Sequence, residues 1–237
     1  MASLYLIRHG QASFGSANYD QLSDLGMQQC LLLGQWMRQT NQPVEQIVLG
    51  EMHRHRQSAQ AFMNGFGAAA HLHEQHWQLH AGLNEFDHEQ LLQKSRPEFA
   101  DTAQLMQFLS SQLHPRATLE KMFVAALSRW MISAHDSDYA ETWTAFQARV
   151  GSAIHSLTTA AGSSPKHTIV FTSGGPISVI CQQLLAIPDT HFQRLLAALL
   201  NSGVSKLVYG DGQLKLVGMN AVGHLEQHND SSLLSYR

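Results

Sequence analysis

The sequence predicts an α/β fold: a mostly parallel sheet flanked by helices, with a helical cap inserted at about residues 88–140 of a single domain spanning 1–237. Three observations predict it. Strand and helix patterns alternate over roughly the first 65 residues, the alternation lapses across that long helix-like stretch, and it returns with an apolar run at 167–172.

The first strand covers residues 3 to 8 and ends at Arg8-His9-Gly10, after which Gly15, Ser16 and Asn18 mark a loop. Ser23 is an N-cap candidate, and Leu25, Leu32, Leu33, Trp36 and Met37 recur at helical spacing until Asn41 and Pro43 end the run. Residues 46–50 (Gln-Ile-Val-Leu-Gly) form a short strand, and 53–65 a second helix with Arg54 near its start. A further strand is expected at 76–79, followed by Gly82-Leu83-Asn84-Glu85-Phe86-Asp87. The insertion is helix-like but interrupted by Pro97 and Pro115, with Met106, Phe108, Met122, Phe123, Trp130 and Met131 expected to supply apolar surface.

Phe146, Val150, Ile154 and Leu157 then define an amphipathic helix, and 167–172 a buried strand. That strand runs into Ser173-Gly174-Gly175-Pro176, with proline suited to the first turn of the helix that follows, expected over 177–187. Gly210-Asp211-Gly212 between apolar segments at 204–209 and 213–219 predicts a β-hairpin.

Composition restricts the function classes. Fifteen basic against 18 acidic residues give a net charge of −3, with charged residues at 14%. No global positive field or basic stripe is present to hold nucleic acid or an anionic membrane, so any anion site must be local. Cys30 and Cys181 sit far apart in apolar helical patterns, the usage of buried reduced thiols, and the apolar run at the N-terminus is short. A cytoplasmic protein without a membrane span is expected. The His-x-His pairs at 53/55 and 71/73, with His76, His80 and His88, read as solvated surface histidines and compel no metal or other cofactor.

A histidine at the carboxyl end of the first strand of a parallel sheet stands where open α/β folds place their ligands, and Arg8 beside it is able to hold phosphate bidentately. Backbone amides at Gly174-Gly175-Pro176 form a second candidate anion cradle. Four segments in order resemble the histidine phosphatase superfamily, the phosphoglycerate-mutase-like three-layer α/β/α fold, over nearly the whole chain. They are Leu6-Ile7-Arg8-His9-Gly10, the helix entry from Asp20 to Gln29, Arg54-His55-Arg56-Gln57-Ser58-Ala59, and Leu83-Asn84-Glu85-Phe86.

The resemblance implies His9 as the phosphate acceptor, Arg8 and Arg54 as phosphate ligands, and Glu85 as general acid and then base, with Asp87 its nearest substitute. The implied activity is hydrolysis of phosphate monoesters through phosphohistidine. Alternatives are a mutase-type phosphotransfer, or a catalytically weak protein that binds phospho-ligands, favoured by Ser173 and by an exposed-looking Met-, Phe- and Trp-bearing insertion. The expected partners are a small phosphorylated substrate or a phosphoprotein, and a second copy in a homodimer. One departure stands out: the family's second histidine lies in a Ser-His-Gly-Gly-like setting, whereas this chain reads Thr172-Ser173-Gly174-Gly175. Ser173 and Gly174 are then the expected phosphate contacts, and losing one charge-assisted bond costs roughly 1.5–3 kcal/mol, or about ten- to a hundredfold in rate. The Gly-Gly-Pro helix start and His224 are the candidates for offsetting that loss.

Overall fold

The computed structural model describes residues 2–13, 20–99, 101–159 and 165–236; the expected loop at Gly15, Ser16 and Asn18 lies outside them. They form two compact units, one of residues 1–85 with 150–237, the other of residues 86–149.

The first unit holds a six-stranded sheet. Its strands are β1 (Ala2–Arg8), β2 (Gln46–Leu49), β3 (Gln78–Leu79), β4 (His167–Thr172), β5 (Val204–Gly210) and β6 (Gln213–Ala221), in the order β3-β2-β4-β1-β5-β6. The first four of that order are parallel, and β5 and β6 add an antiparallel edge. Asp211 and Gly212, with φ of 52° and 72°, make the two-residue β5–β6 turn, a geometry that Asp-Gly favours.

Helix α1 (Asp24–Gln39) starts as the sequence predicts, the Ser23 hydroxyl accepting from the Gly26 amide, and packs on α2 (His53–Phe66). Strand alternation divides the core. Tyr5, Ile7, Ile47, Leu49, Ile169 and Phe171 face Leu33 and Met37 of α1 and Ala59 and Phe62 of α2, while Leu4, Leu6, Val48 and Val170 are buried on the opposite face.

Between β4 and β5 run α7 (Gly174–Leu185) and α8 (Phe192–Ala198); α7 begins three residues before the expected 177, because Gly174 and Gly175 already have helical geometry and Pro176 falls within its first turn. The chain leaves β1 toward β2 and leaves the adjacent β4 toward β5. Neighbouring strands whose connections diverge open a crevice at their carboxyl ends.

The second unit contains α3 (His88–Ser95), α4 (Thr102–Ser110), α5 (Pro115–Trp130) and the first part of α6 (Trp143–Thr159), with Pro115 at the first turn of α5. It extends past the expected 88–140 at both ends, since Phe86, Trp143 and Phe146 belong to its core. Phe86 packs on Phe146 edge-on at 5.5 Å and on Trp130 at 5.1 Å, and Trp130 on Trp143 at 5.3 Å. Trp130 and Met122 are therefore buried rather than surface residues, although Met106 is exposed as expected. Among the described residues, no helix is long and apolar enough to cross a membrane.

Candidate active site

The residues expected to carry chemistry gather at the carboxyl ends of the parallel strands. Arg8 pairs with Thr172 across β1 and β4, and the His9 amide continues that ladder to the Thr172 carbonyl at 2.9 Å, so His9 and Ser173 leave the sheet side by side. Alternation sends Arg8 and His9 to different faces. His9 lies on the α2 side, while the Arg8 guanidinium donates to the Leu199 carbonyl and lies against Gly174, where a built Cβ would be 3.6 Å from its Nε.

His9 is 6% exposed, and its Nδ1 sits 2.7 Å from the Gly10 carbonyl oxygen. A carbonyl only accepts, so Nδ1 carries the proton and a neutral ring presents its lone pair at Nε2. Burial first, then the charges of Arg54 and Arg8 and the neighbouring His55, hold the ring well below its ordinary pKa of 6.5. His9 is accordingly neutral at pH 7.

Three contacts fix its backbone. The Gly10 amide donates to Ser58 Oγ at 3.1 Å, Asn201 Nδ2 donates to the His9 carbonyl at 3.1 Å, and the Ser202 amide donates to the carbonyls of Arg8 and His9. Gly10 itself is dictated by close approach: a Cβ there would lie 2.2 Å from the Gly26 carbonyl oxygen of α1.

Arg54, 3% exposed, reaches the same place from the first turn of α2. One guanidinium nitrogen donates to Asp20 at 2.8 Å and another to Ser173 Oγ at 3.4 Å. Asp20 also accepts from the His53 amide at 2.8 Å, capping a helix whose N-cap, Met52, has no side-chain acceptor. Gln57 and Ser58 of the same segment have structural work: Gln57 accepts from the Leu22 amide, and Ser58 binds the Arg54 carbonyl and the Gly10 amide.

Glu85, partly buried, accepts from the Gly175 amide at 3.1 Å at the start of α7. The proposed amide cradle there is thus engaged in part by a carboxylate of the chain itself. Asp87, the substitute, caps α3 by accepting from the Gln90 amide at 2.9 Å.

His224, the candidate for offsetting the lost charge, is held by Ser202. Its Nε2 lies 2.8 Å from Ser202 Oγ, and burial lowers its pKa to about 3, so it is neutral and supplies no charge. His55, read from sequence as a solvated surface residue, is instead fully buried. Its Nε2 is 2.7 Å from Ser173 Oγ and its ring centroid 5.8 Å from that of His9. Burial, and second the charge of Arg54, hold it well below 6.5. The local sequence carried one unused signal: residue 55 follows Arg54 on the helix that faces the sheet. His53, His71, His73 and His76 are exposed.

Cys30 and Cys181 are free, buried thiols, both pushed up to about 11 by burial. Among the described residues, no group of three or more His, Cys, Asp or Glu side chains is arranged to hold a metal ion. The open groove lined by Glu45, His71, His76 and Trp77 lies at the other end of β2, away from His9.

The fold and the site together define an α/β protein with a buried, neutral histidine beside two arginines at the carboxyl ends of its parallel strands. The chain matches the Histidine phosphatase superfamily (branch 1) over residues 4–222, and it belongs to that family. It is similar in structure to phosphoglycerate mutase from Bacillus anthracis (TM-score 0.63, 16% identity, 97% of each chain covered). A phosphoserine phosphatase mutant from Entamoeba histolytica, in complex with phosphoserine, aligns at TM-score 0.62 and 18% identity, covering 95% of this chain and 100% of that one. Mycobacterial glucosyl-3-phosphoglycerate phosphatase aligns at TM-score 0.57 and 17% identity, covering 93% and 100%. No curated protein sequence matches the chain.

Proposed function

We propose that this protein hydrolyses phosphate monoesters through a phosphohistidine on His9. The observation that carries the reading is the Nδ1 contact to the Gly10 carbonyl, which leaves Nε2 of a neutral, buried imidazole as the nucleophilic nitrogen.

In the first half-reaction, Nε2 attacks phosphorus, the P–O bond to the ester oxygen breaks, and the leaving alkoxide takes a proton from the Glu85 carboxyl. In the second, the Glu85 carboxylate takes a proton from water, whose oxygen displaces phosphate from Nε2. Atoms balance to alcohol and inorganic phosphate, with His9 and Glu85 restored. Arg8 and Arg54 offer planar, permanently charged forks to the equatorial oxygens, a geometry lysine does not reproduce. Asp20 holds the Arg54 fork in place.

The substrate is a small phosphate ester, a phosphosugar or a phosphoprotein, and phosphoserine and 3-phosphoglycerate belong in the assay panel. The regulatory alternative loses one of its motives, because Trp130 and Met122 of the insertion are core residues.

Wild type is expected to hydrolyse an aryl phosphate and to accumulate an acid-labile phosphoprotein on rapid quench; His9→Ala is expected to do neither. Equal hydrolysis by the two proteins would refute the nucleophile. A mutase would instead return the phosphoryl group to another hydroxyl of the same molecule, which an isomerisation assay on the panel detects.

A further inference from the structure

We propose that His55 is a positioning residue that makes Ser173 a phosphate donor, so that the pair replaces the single histidine expected at position 173. The inference rests on the phosphohydrolase reading for its kinetic consequence, but not for the binding behaviour described below.

The pair is built into the structure. His55 is fully buried at the third residue after Met52, the N-cap of α2, so its ring nitrogens are not satisfied by surface water. The end of β2 makes room for it. A Cβ on Gly50 would stand 2.4 Å from His55 Nδ1, so the ring is seated against bare backbone. Ser173 Oγ already accepts from Arg54, which leaves the serine's own proton for the imidazole and sets the lone pair on Nε2. Nε2 then accepts the Ser173 hydroxyl at 2.7 Å, while Ser173 Oγ accepts from Arg54 at 3.4 Å. Bulk has been exchanged between two touching positions: a large ring at 55 faces a small hydroxyl at 173.

In this arrangement the serine proton points at His55 and not at a ligand. A dianion arriving beside Arg54 changes that balance. The groups facing the imidazole are Arg54 on its own helix, His9 at the end of β1, and the neutral Ser173 and Gly50 at the ends of β4 and β2; Arg8 and Asp20 act on His9 and Arg54 in turn. Burial first, and then the charge of Arg54, oppose a proton on His55, and a bound dianion beside Arg54 favours one. His55 Nε2 then takes up a proton from solvent and donates it in a hydrogen bond to Ser173 Oγ. The serine O–H is released to donate to a phosphoryl oxygen. No covalent bond other than N–H changes, and one proton is bound with the anion.

The test uses tungstate, a tetrahedral dianion of constant charge near pH 7.5, titrated calorimetrically in buffers of different ionisation enthalpy. Working with His9→Ala removes the other imidazole. That protein is expected to take up close to one proton per tungstate, and His9→Ala/His55→Asn almost none, since asparagine keeps a hydrogen bond to Ser173 but does not titrate. Uptake that survives His55→Asn, or is absent from His9→Ala itself, overturns the proposal.

The kinetic arm asks whether the imidazole can be moved. With His9 intact, His55→Ala is expected to lower kcat/KM by about ten- to a hundredfold, and His55→Ala/Ser173→His to recover most of it. Ser173→His alone is expected to lose activity, because the new ring and His55 compete for one buried space. A rate in His55→Ala within about twofold of wild type, or no gain in the double variant with thermal unfolding unchanged, also overturns it. Failure of the phosphohistidine reading is separate: it appears as hydrolysis indifferent to His9→Ala, and leaves the tungstate result standing.

Discussion

Replacing His224 by glutamine separates stability from catalysis at the one other buried histidine near the site. His224 is 1% exposed, its Nε2 is bonded to Ser202 Oγ, and burial, with a smaller contribution from His228, lowers its pKa to about 3. In the unfolded chain the same ring titrates at about 6.5, so as pH falls the unfolded state binds the proton first. The stabilisation is therefore complete above about pH 6.5 and is lost as pH falls from there toward the folded value near 3. From proton linkage with those two values, the loss between pH 7 and pH 5 is about 2 kcal/mol from this residue alone.

Glutamine retains a hydrogen-bonding group for Ser202 without titrating. Urea unfolding at the two pH values, on wild type and His224→Gln, gives the comparison directly. The decline in unfolding free energy from pH 7 to pH 5 is expected to be about 2 kcal/mol smaller in the variant. Declines equal within about 0.5 kcal/mol would refute the assignment of His224 as a buried neutral ring. His9 and His55, lowered in the same direction, act equally in both proteins and cancel in the difference. At pH 7 the variant is expected to keep hydrolytic activity within a few-fold, because His224 bonds Ser202, whose amide in turn holds the His9 carbonyl.

Two further outcomes follow from close geometry. Gly10→Ala sets a methyl group 2.2 Å from the Gly26 carbonyl oxygen, backbone against backbone, and is expected to destabilise by about 1–3 kcal/mol or more in urea unfolding; a loss under about 0.5 kcal/mol would contradict the contact. Asp20→Ala removes both the Arg54 partner and the acceptor at the start of α2, and is expected to lower kcat/KM by about three- to thirtyfold with about 1 kcal/mol of stability, measured by steady-state kinetics and thermal unfolding.

The sheet was legible because its strands are short, apolar and bounded by turn residues, and because α1 announces itself through Ser23 and a helical apolar stripe. The positions of Arg8, His9 and Arg54 were legible because each stands at the junction of a strand or helix end with a loop. The extent of the insertion was less so: Phe86, Trp143 and Phe146 have the same apolar character whether they face a sheet or a helical core, and only their mutual ring packing places them in the latter.

The sequence by itself determined the order of strands and helices, the histidine at the end of β1, and the absence of a histidine at 173. Those are properties of local pattern and residue identity. The tertiary structure alone decided where the other imidazoles go. His55 and His224 look alike in a string of letters, but one is carried by α2 onto Ser173 and the other by the C-terminal segment onto Ser202. The distinction depends on the register of β1 with β4 and the packing of α2 on the sheet, contacts that join separate parts of the chain and that no short-range spacing encodes.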